Sequence, residues 1–316
     1  MIKVERTSCP DILKYGENPN SLGELETKDA ILFYSTINNH LNNYKKTGKR
    51  GVRTKESYSV YSEKIIRTSL RQFHFGKCAY CESKIDAIYG GDVEHFRPKA
   101  GYGSSNHLIK PGYFWLASDW NNLLFACPFC NQTNTHEIKE NGVIEEVVLG
   151  KLNQFPLKTE TYRLNYTHGL MFLADPLNYE IAYELEETER LVLKPCTDNV
   201  EKYFKYEEDG RILPADGLDP LDTERANTSI HVYALKRISL IQSREERVIQ
   251  IKAQIRRVEE AMINLNNHIT ESNAVVTWFE GILRKELNIL HKYKEPNMEY
   301  AGLARFLIDK YFDQLL

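Results

Sequence analysis

Two Cys-x-x-Cys pairs, Cys78-Ala-Tyr-Cys81 and Cys127-Pro-Phe-Cys130, constrain this chain more than any other feature of its sequence. Four thiolates at those spacings can close a tetrahedral zinc site, and closing it brings two distant segments to one point. The interval between the pairs is far longer than in a small zinc finger, so the residues within it must fold as a unit held at both ends. A redox dithiol is the competing use of such a pair, and it requires a helix start after a strand in a thioredoxin-like setting. Here Lys77-Cys78 opens a turn and the second pair encloses Pro-Phe, which favours metal. Cys9 and Cys196 stand alone and read as small buried or surface thiols.

Between and just after the pairs come Asp92-Val-Glu94-His95-Phe-Arg97-Pro98-Lys99, then Trp120-Asn-Asn122-Leu, then Asn131. A carboxylate, an imidazole and an amide are what a metal-dependent hydrolase needs: an oxygen ligand, a base and a group to aim that base. Adjacent residues on a regular strand point to opposite faces, so Glu94 and His95 meet one ion only at a strand-to-loop exit. Pro98 ends regular pairing soon afterwards.

A chain of 316 residues, 42% hydrophobic and 27% charged, has the composition of a soluble globular protein with a substantial core. No apolar run approaches a membrane span, and the first residues, Met1-Ile-Lys-Val-Glu-Arg, lack a hydrophobic leader. With six cysteines, four of them in matched pairs, the expectation is a cytoplasmic protein holding metal. The net charge is −3, so any phosphate-binding surface must gather its cations locally. Lys45, Lys46, Lys49, Arg50 and Arg53 form one such gathering, in a stretch with two glycines that reads as a loop. A second series, Lys64, Arg67, Arg71 and Lys77, recurs at near-helical spacing, as an ordinary solvated helix face also does.

The apolar periodicity predicts helices over Asp29 to Asn43 and Tyr61 to Phe73. A turn-rich centre follows, with a strand-rich insertion from Asn141 to Gly150, and the chain becomes helical again from about Asp222. Ile241, Val248, Ile251, Ile255, Val258, Met262 and Leu265 form a heptad-like seam, interrupted by Arg244. One long helix packed on its own domain is the default for such a seam, and self-association is the alternative use. The expected fold class is α+β, mainly helical, divided into a helical region (1–75), a metal-centred module (76–157) and a mixed, then helical region (158–316).

The order Asp92-Val-Glu94-His95-Phe-Arg-Pro-Lys, Asn122-Leu and Cys127-x-x-Cys130-Asn131 resembles the ββα-metal motif of HNH endonucleases with a zinc-ribbon support. Flanking stretches are more specific. Gly76-Lys-Cys-Ala-Tyr-Cys-Glu, Gly112-Tyr-Phe-Trp-Leu-Ala-Ser-Asp-Trp-Asn-Asn-Leu-Leu and Asn153-Gln-Phe-Pro-Leu resemble the HNH nuclease subunit of Septu-type and retron-associated anti-phage defence systems.

That resemblance implies roles. His95 would be the general base, with Asn122 orienting its ring by a hydrogen bond. Glu94 and Asn131, at the start of the α element, would ligate a catalytic Mg²⁺ (or Mn²⁺), with Asp92 behind them. Cys78, Cys81, Cys127 and Cys130 would hold structural Zn²⁺. Lys45, Lys46, Lys49, Arg50, Arg53, Arg97 and Lys99 would face nucleic acid, DNA before RNA. An ATPase of the ABC/SMC type would be the partner. His136 is the alternative metal ligand to Asn131, but five residues on a helix would turn it about 140° out of line. The insertion after His136 also displaces a basic residue expected there. A zinc-stabilised binding or adaptor module without catalysis is the competing function.

Overall fold

A computed structural model describes residues 1–13, 20–35, 58–104, 107–140 and 142–315. The chain is mixed α/β and roughly half helical, and its strands form two-stranded antiparallel pairs among the described residues. The first predicted helix begins earlier than the periodicity suggested, as α1 (Leu22–Ser35). Its expected continuation to Asn43 lies outside the described residues. Ala30 and Tyr34, four apart, share its buried face, and the Tyr34 ring meets Phe114 with centroids 4.2 Å apart.

The second predicted helix is α2 (Lys64–Phe73), which buries Ile66, Leu70 and Phe73 at the i, i+4, i+7 spacing of a core-facing stripe. Four short strands follow: β1 (Asp92–His95), β2 (Tyr102–Ser104), β3 (His107–Ile109) and β4 (Leu123–Ala126). β1 pairs with β4, Asp92 opposite Ala126 and His95 opposite Leu123, while β2 pairs with β3. β4 is buried on both faces, and α2 packs against both β1 and β4. A single helical turn, α3 (Pro128–Asn131), leaves β4 directly. Cys127 caps it and Pro128 takes the first position, where a missing N–H is harmless.

The strand-rich insertion is a hairpin, β5 (Asn134–Glu140) and β6 (Val143–Leu149). Its first strand, Asn-Thr-His-Glu-Ile-Lys-Glu, is too polar to announce itself, so only the second was legible. Asn134 pairs with Leu149, so the hairpin leaves and rejoins the module at one place. Gly150 makes the junction possible: its φ is 139°, and a Cβ there would lie 1.8 Å from the Gln132 carbonyl oxygen.

The remainder comprises α4 (Tyr166–Ala174), α5 (Pro176–Glu189), β7 (Phe204–Tyr206), β8 (Ile212–Pro214), α6 (Pro220–Val232), α7 (Ile238–Asn267), α8 (Asn273–Lys292) and α9 (Ala301–Asp313). α7 is the seam helix, with Val248, Ile251 and Val258 buried. Gln254 of α7 donates to the Glu286 carbonyl of α8 (3.0 Å), and only five residues connect the two helices, so α8 returns antiparallel along α7. Arg244 does not interrupt the seam. It is buried in it, donating to the Leu235 carbonyl (2.8 Å) with its guanidinium 5.8 Å from the Tyr206 ring centre. One apolar cluster draws residues from all three stretches of the chain.

Arg97, expected at a phosphate, is a correction. It is 1% exposed, donating through Nε to Glu186 (2.8 Å), through Nη2 to Glu187 and through Nη1 to the Tyr183 hydroxyl (3.1 Å). Glu186 also accepts from the Tyr113 hydroxyl (2.8 Å) and the Leu164 N–H (2.7 Å). This network fastens the exit of β1 to α5. Breaking a buried ion pair from one side leaves the other charge stranded, so Arg97→Met should lower stability by about 3–5 kcal/mol in urea denaturation. Burial pushes the Glu187 carboxyl up, but Arg97 and Arg190 outweigh it and hold the group down at about 2, against an ordinary 4.5. A group depressed on folding stabilises above its unfolded pKa and stops doing so as pH falls through the folded one. Urea midpoints should therefore drop between about pH 4.5 and 2, and Glu187→Gln should flatten that drop.

Candidate functional site

Two tight turns bring the thiols together. α2 ends in left-handed Phe75 and Gly76, and a Cβ on Gly76 would lie 2.2 Å from Asp86 Oδ2, so only glycine fits. The chain folds back with Cys78 N–H on the Ser83 carbonyl (2.9 Å) and Ile85 N–H on the Gly76 carbonyl (3.0 Å). Ala79 N–H then donates to the Phe125 carbonyl of β4 (2.8 Å), which sets the first turn beside the second. All four sulfurs are buried and lie within 4.8 Å of one another, Cys81 Sγ and Cys127 Sγ being 3.9 Å apart. Sulfurs about 2.3 Å from a central zinc would form a tetrahedron with edges of about 3.8 Å. The cluster could thus hold a metal ion such as zinc, and none of its cysteines is in a disulfide.

Sequence reasoning missed a charge partner of this cluster. Arg237, just before α7, directs Nη1 at Cys130 Sγ (3.6 Å) and at the Ala234 carbonyl (3.0 Å). Burial works against its charge, but Cys130, Cys81 and Cys127 more than offset that and raise its pKa. Four thiolates around a divalent cation leave a net negative charge, which a buried guanidinium relieves.

β1 presents Asp92 and Glu94 on one face and His95 on the other. Asp92 Oδ2 accepts from Asn131 Nδ2 (3.0 Å) and Gln132 Nε2 (3.1 Å), and Oδ1 accepts from the Tyr89 hydroxyl (2.5 Å). The Asn131 amide is thereby oriented with Oδ1 turned away from Asp92. Asn131 ends α3 rather than starting it. Glu94 is buried and ion-paired with Lys151 Nζ (2.5 Å), which also donates to the His95 carbonyl (2.8 Å). Burial raises the Glu94 pKa, and the Lys151 ammonium opposes that rise.

Lys151 is fully buried, and the sequence did not single it out. Its N–H bonds the Cys130 carbonyl (2.9 Å), and that of Leu152 bonds the Asn131 carbonyl (2.6 Å). The chain thus resumes at the end of α3 as if the hairpin were not there.

The His95 ring is 5% exposed. Nε2 donates to the Ala117 carbonyl (2.8 Å), so the neutral ring keeps its lone pair on Nδ1, which faces Lys99 Nζ at 3.3 Å. Tyr61 meets the ring edge-on at 4.6 Å, and Lys99 lies over Tyr61 at 4.1 Å. Burial, aided by Lys99, holds the imidazole well below its ordinary 6.5, against the pull of the Ala117 carbonyl. Burial also brings Lys99 down to about 8.

Asn122 does not bond the His95 ring, contrary to expectation. Its Oδ1 accepts from Arg97 N–H (2.7 Å), and Nδ2 donates to the carbonyls of Arg97 (3.0 Å) and Leu116 (3.1 Å). It joins the exit of β1 to the turn whose next carbonyl, that of Ala117, holds the ring.

Other expectations fall elsewhere. His136 is on β5, opposite Val147, and not on a helix. It packs against Phe129, its Nε2 has no hydrogen-bond partner among the described residues, and burial and Arg237 lower its pKa. Lys45, Lys46, Lys49, Arg50 and Arg53 lie outside the described residues. Among the described residues no helix is long and apolar enough to cross a membrane.

No family model matches the chain. It is 26% identical over 322 residues to the Septu protein PtuB of Bacillus mycoides (strain KBAB4), covering 96% of this chain and 88% of that protein. A second likeness, 21% over 195 residues, is to the Septu protein PtuA of the same organism. It takes in 61% of this chain but only 22% of that protein. Similarity over nearly the whole chain supports a component of a Septu system.

Purified protein should carry one zinc per chain by elemental analysis, with thiols unreactive until a chelator removes it. Arg237→Gln should keep the fold but release zinc to a chelator roughly ten- to a hundredfold more readily, the usual effect of losing a partner behind the ligands.

Proposed function

We propose that this chain is a metal-dependent endonuclease of the HNH type, an effector of anti-phage defence acting on DNA in preference to RNA. The observation that carries the reading is His95, neutral, buried and oriented through Nε2 so that Nδ1 is the basic atom, on the strand that also bears Asp92 and Glu94. β1, β4 and α3 would be the ββα unit, with the cysteine cluster holding zinc beneath it. Glu94, Asn131 and Asp92 would supply hard oxygen donors of the kind Mg²⁺ or Mn²⁺ takes; in this structure Glu94 is paired with Lys151 and Asp92 accepts from Asn131. Such an ion supplies charge stabilisation at the scissile phosphate and the leaving oxygen.

The protein's own part is then specific. His95 Nδ1 takes the proton of the attacking water, and a ring held neutral at pH 7 is ready to do so. The Ala117 carbonyl fixes the tautomer, and Asn122 positions that carbonyl through Leu116 and Arg97. Asp92 aims the Asn131 oxygen. Lys99 is the cation beside the base that could meet phosphate, while Lys151 is buried and holds Glu94 and the His95 carbonyl in place.

The arrangement is a closed one. Lys99 faces the base, and Lys151 is paired with Glu94. Both contacts must loosen before substrate and ion engage, which supports a restrained resting state released by a partner. The PtuA likeness favours a second Septu component in that role, and the family resemblance implies that it is an ATPase. In the competing reading, a zinc-stabilised binding or adaptor module, His95 would be only a buried structural histidine bonded to the Ala117 carbonyl.

Plasmid DNA and structured RNA incubated with Mg²⁺ and the protein, with and without its partner, test the reading. Wild type should cleave, while His95→Ala, with zinc and fold retained, should lose roughly 10²–10⁴-fold in rate. Equal cleavage by both would sink the assignment of His95. Absence of cleavage even with the partner present would sink the nuclease.

A further inference from the structure

The exposed face of α2 adjoins the entry to β1. Ser62, Lys64, Arg67 and Thr68 on one side and Gly90 on the other line a cleft of about 370 Å³. Arg71 spans it to Asp86, Nη2 to Oδ2 at 3.2 Å, so the one acidic residue lining the cleft is already neutralised. The side chains of Lys64 and Arg67 are exposed and make no hydrogen bond or ion pair among the described residues. Lys77, the last of the basic series, does not extend this face. It is buried, with Nζ on the Met298 carbonyl (2.8 Å) and near Glu82 (3.6 Å).

The cleft is next to the candidate site. Gly90 in its wall is two residues from Asp92, at most about 7 Å of extended chain. Tyr89, the residue before Gly90, donates its hydroxyl to Asp92, and Arg67 is close enough for its charge to act on that hydroxyl. Two unpaired cations and the Thr68 hydroxyl, with no uncompensated carboxylate, form a donor set of the kind that nucleic-acid backbones meet in proteins; the Ser62 hydroxyl is already given to the Ser59 carbonyl (2.6 Å). Isolated, long-stemmed cations on a helix are an ordinary surface. These differ in facing a concave wall that runs into the residues holding Asn131.

We propose that this cleft binds the sugar–phosphate backbone of the nucleic acid beside the scissile bond, Lys64 and Arg67 each neutralising one phosphate. The inference rests on the nuclease reading above. An acidic protein surface would satisfy the same cations, but nothing would then place them against Asp92.

The test is fluorescence anisotropy of a labelled DNA duplex and of a single-stranded RNA of equal length, across about 50–200 mM KCl. It uses the full-length His95→Ala protein, so that binding is read without cleavage. Adding Lys64→Gln and Arg67→Gln should weaken binding at least roughly tenfold at low salt. Two lost phosphate contacts should also reduce the salt slope by about 1.8 on the duplex and about 1.4 on a single strand. Circular dichroism and zinc content report the fold; if the double variant fails them, Arg67→Gln alone should reduce the duplex slope by about 0.9.

Unchanged affinity and slope in a folded variant would overturn the cleft and leave the nuclease reading standing, even if an acidic protein partner were lost instead. If the parent binds neither polymer and wild type with partner cleaves neither, the nuclease reading falls and the cleft with it.

Discussion

Convergence of four thiols on one buried point is the constraint from which the rest of the module follows. β1 and β4 are four residues each, too short to hold a pair of strands together alone. Their register is held from outside, by the bond from Ala79 to the β4 backbone and by Cys127, which is at once the last residue before α3 and a member of the cluster. Arg237 ties the same point to α7, and Arg97 ties the exit of β1 to α5. The candidate site is therefore braced by the C-terminal half of the chain, although none of its candidate residues comes from there.

Charge inside this module is handled by pairing, not by exposure. Glu94, Arg97, Lys151 and Glu186 are all buried, each against an opposite charge. Buried pairs of this kind contribute little net stability but penalise every arrangement that separates them. α5 meets the chain two residues from the candidate base through the Arg97 pairs, and the start of α7 meets the cysteine cluster through Arg237.

What could be read from the sequence was whatever is encoded locally. Ligand spacing showed the cysteine turns, and period showed α2 and α7, because both depend on neighbours within one or two turns. Arg97 was misread because its role depends on Glu186 and Glu187, some 90 residues away, and an arginine beside a candidate catalytic motif otherwise resembles a phosphate ligand. Asn122 was placed correctly in the chain but not in its bonds, since its partners are backbone atoms that carry no sequence signature. His136 was assigned to a helix because the hairpin after α3 begins with polar residues. Lys151 was missed for the same reason: a 19-residue excursion separates it from the Cys130 and Asn131 carbonyls that its segment binds.

That hairpin has the topology of a graft. Entry and exit are bonded to the same turn, so its length is decoupled from the geometry of the site, and strand pairs could be added or trimmed at its tip without moving Lys151. Its root is not so free, because Ile138 bridges to the backbone of Arg237, beside the cysteine cluster. Variation among related chains should accordingly be tolerated beyond Ile138, where the hairpin reaches away from the fold, and be resisted between Gln132 and Ile138. The tip is then a surface on which sequence can vary without disturbing the bonds at the hairpin's root.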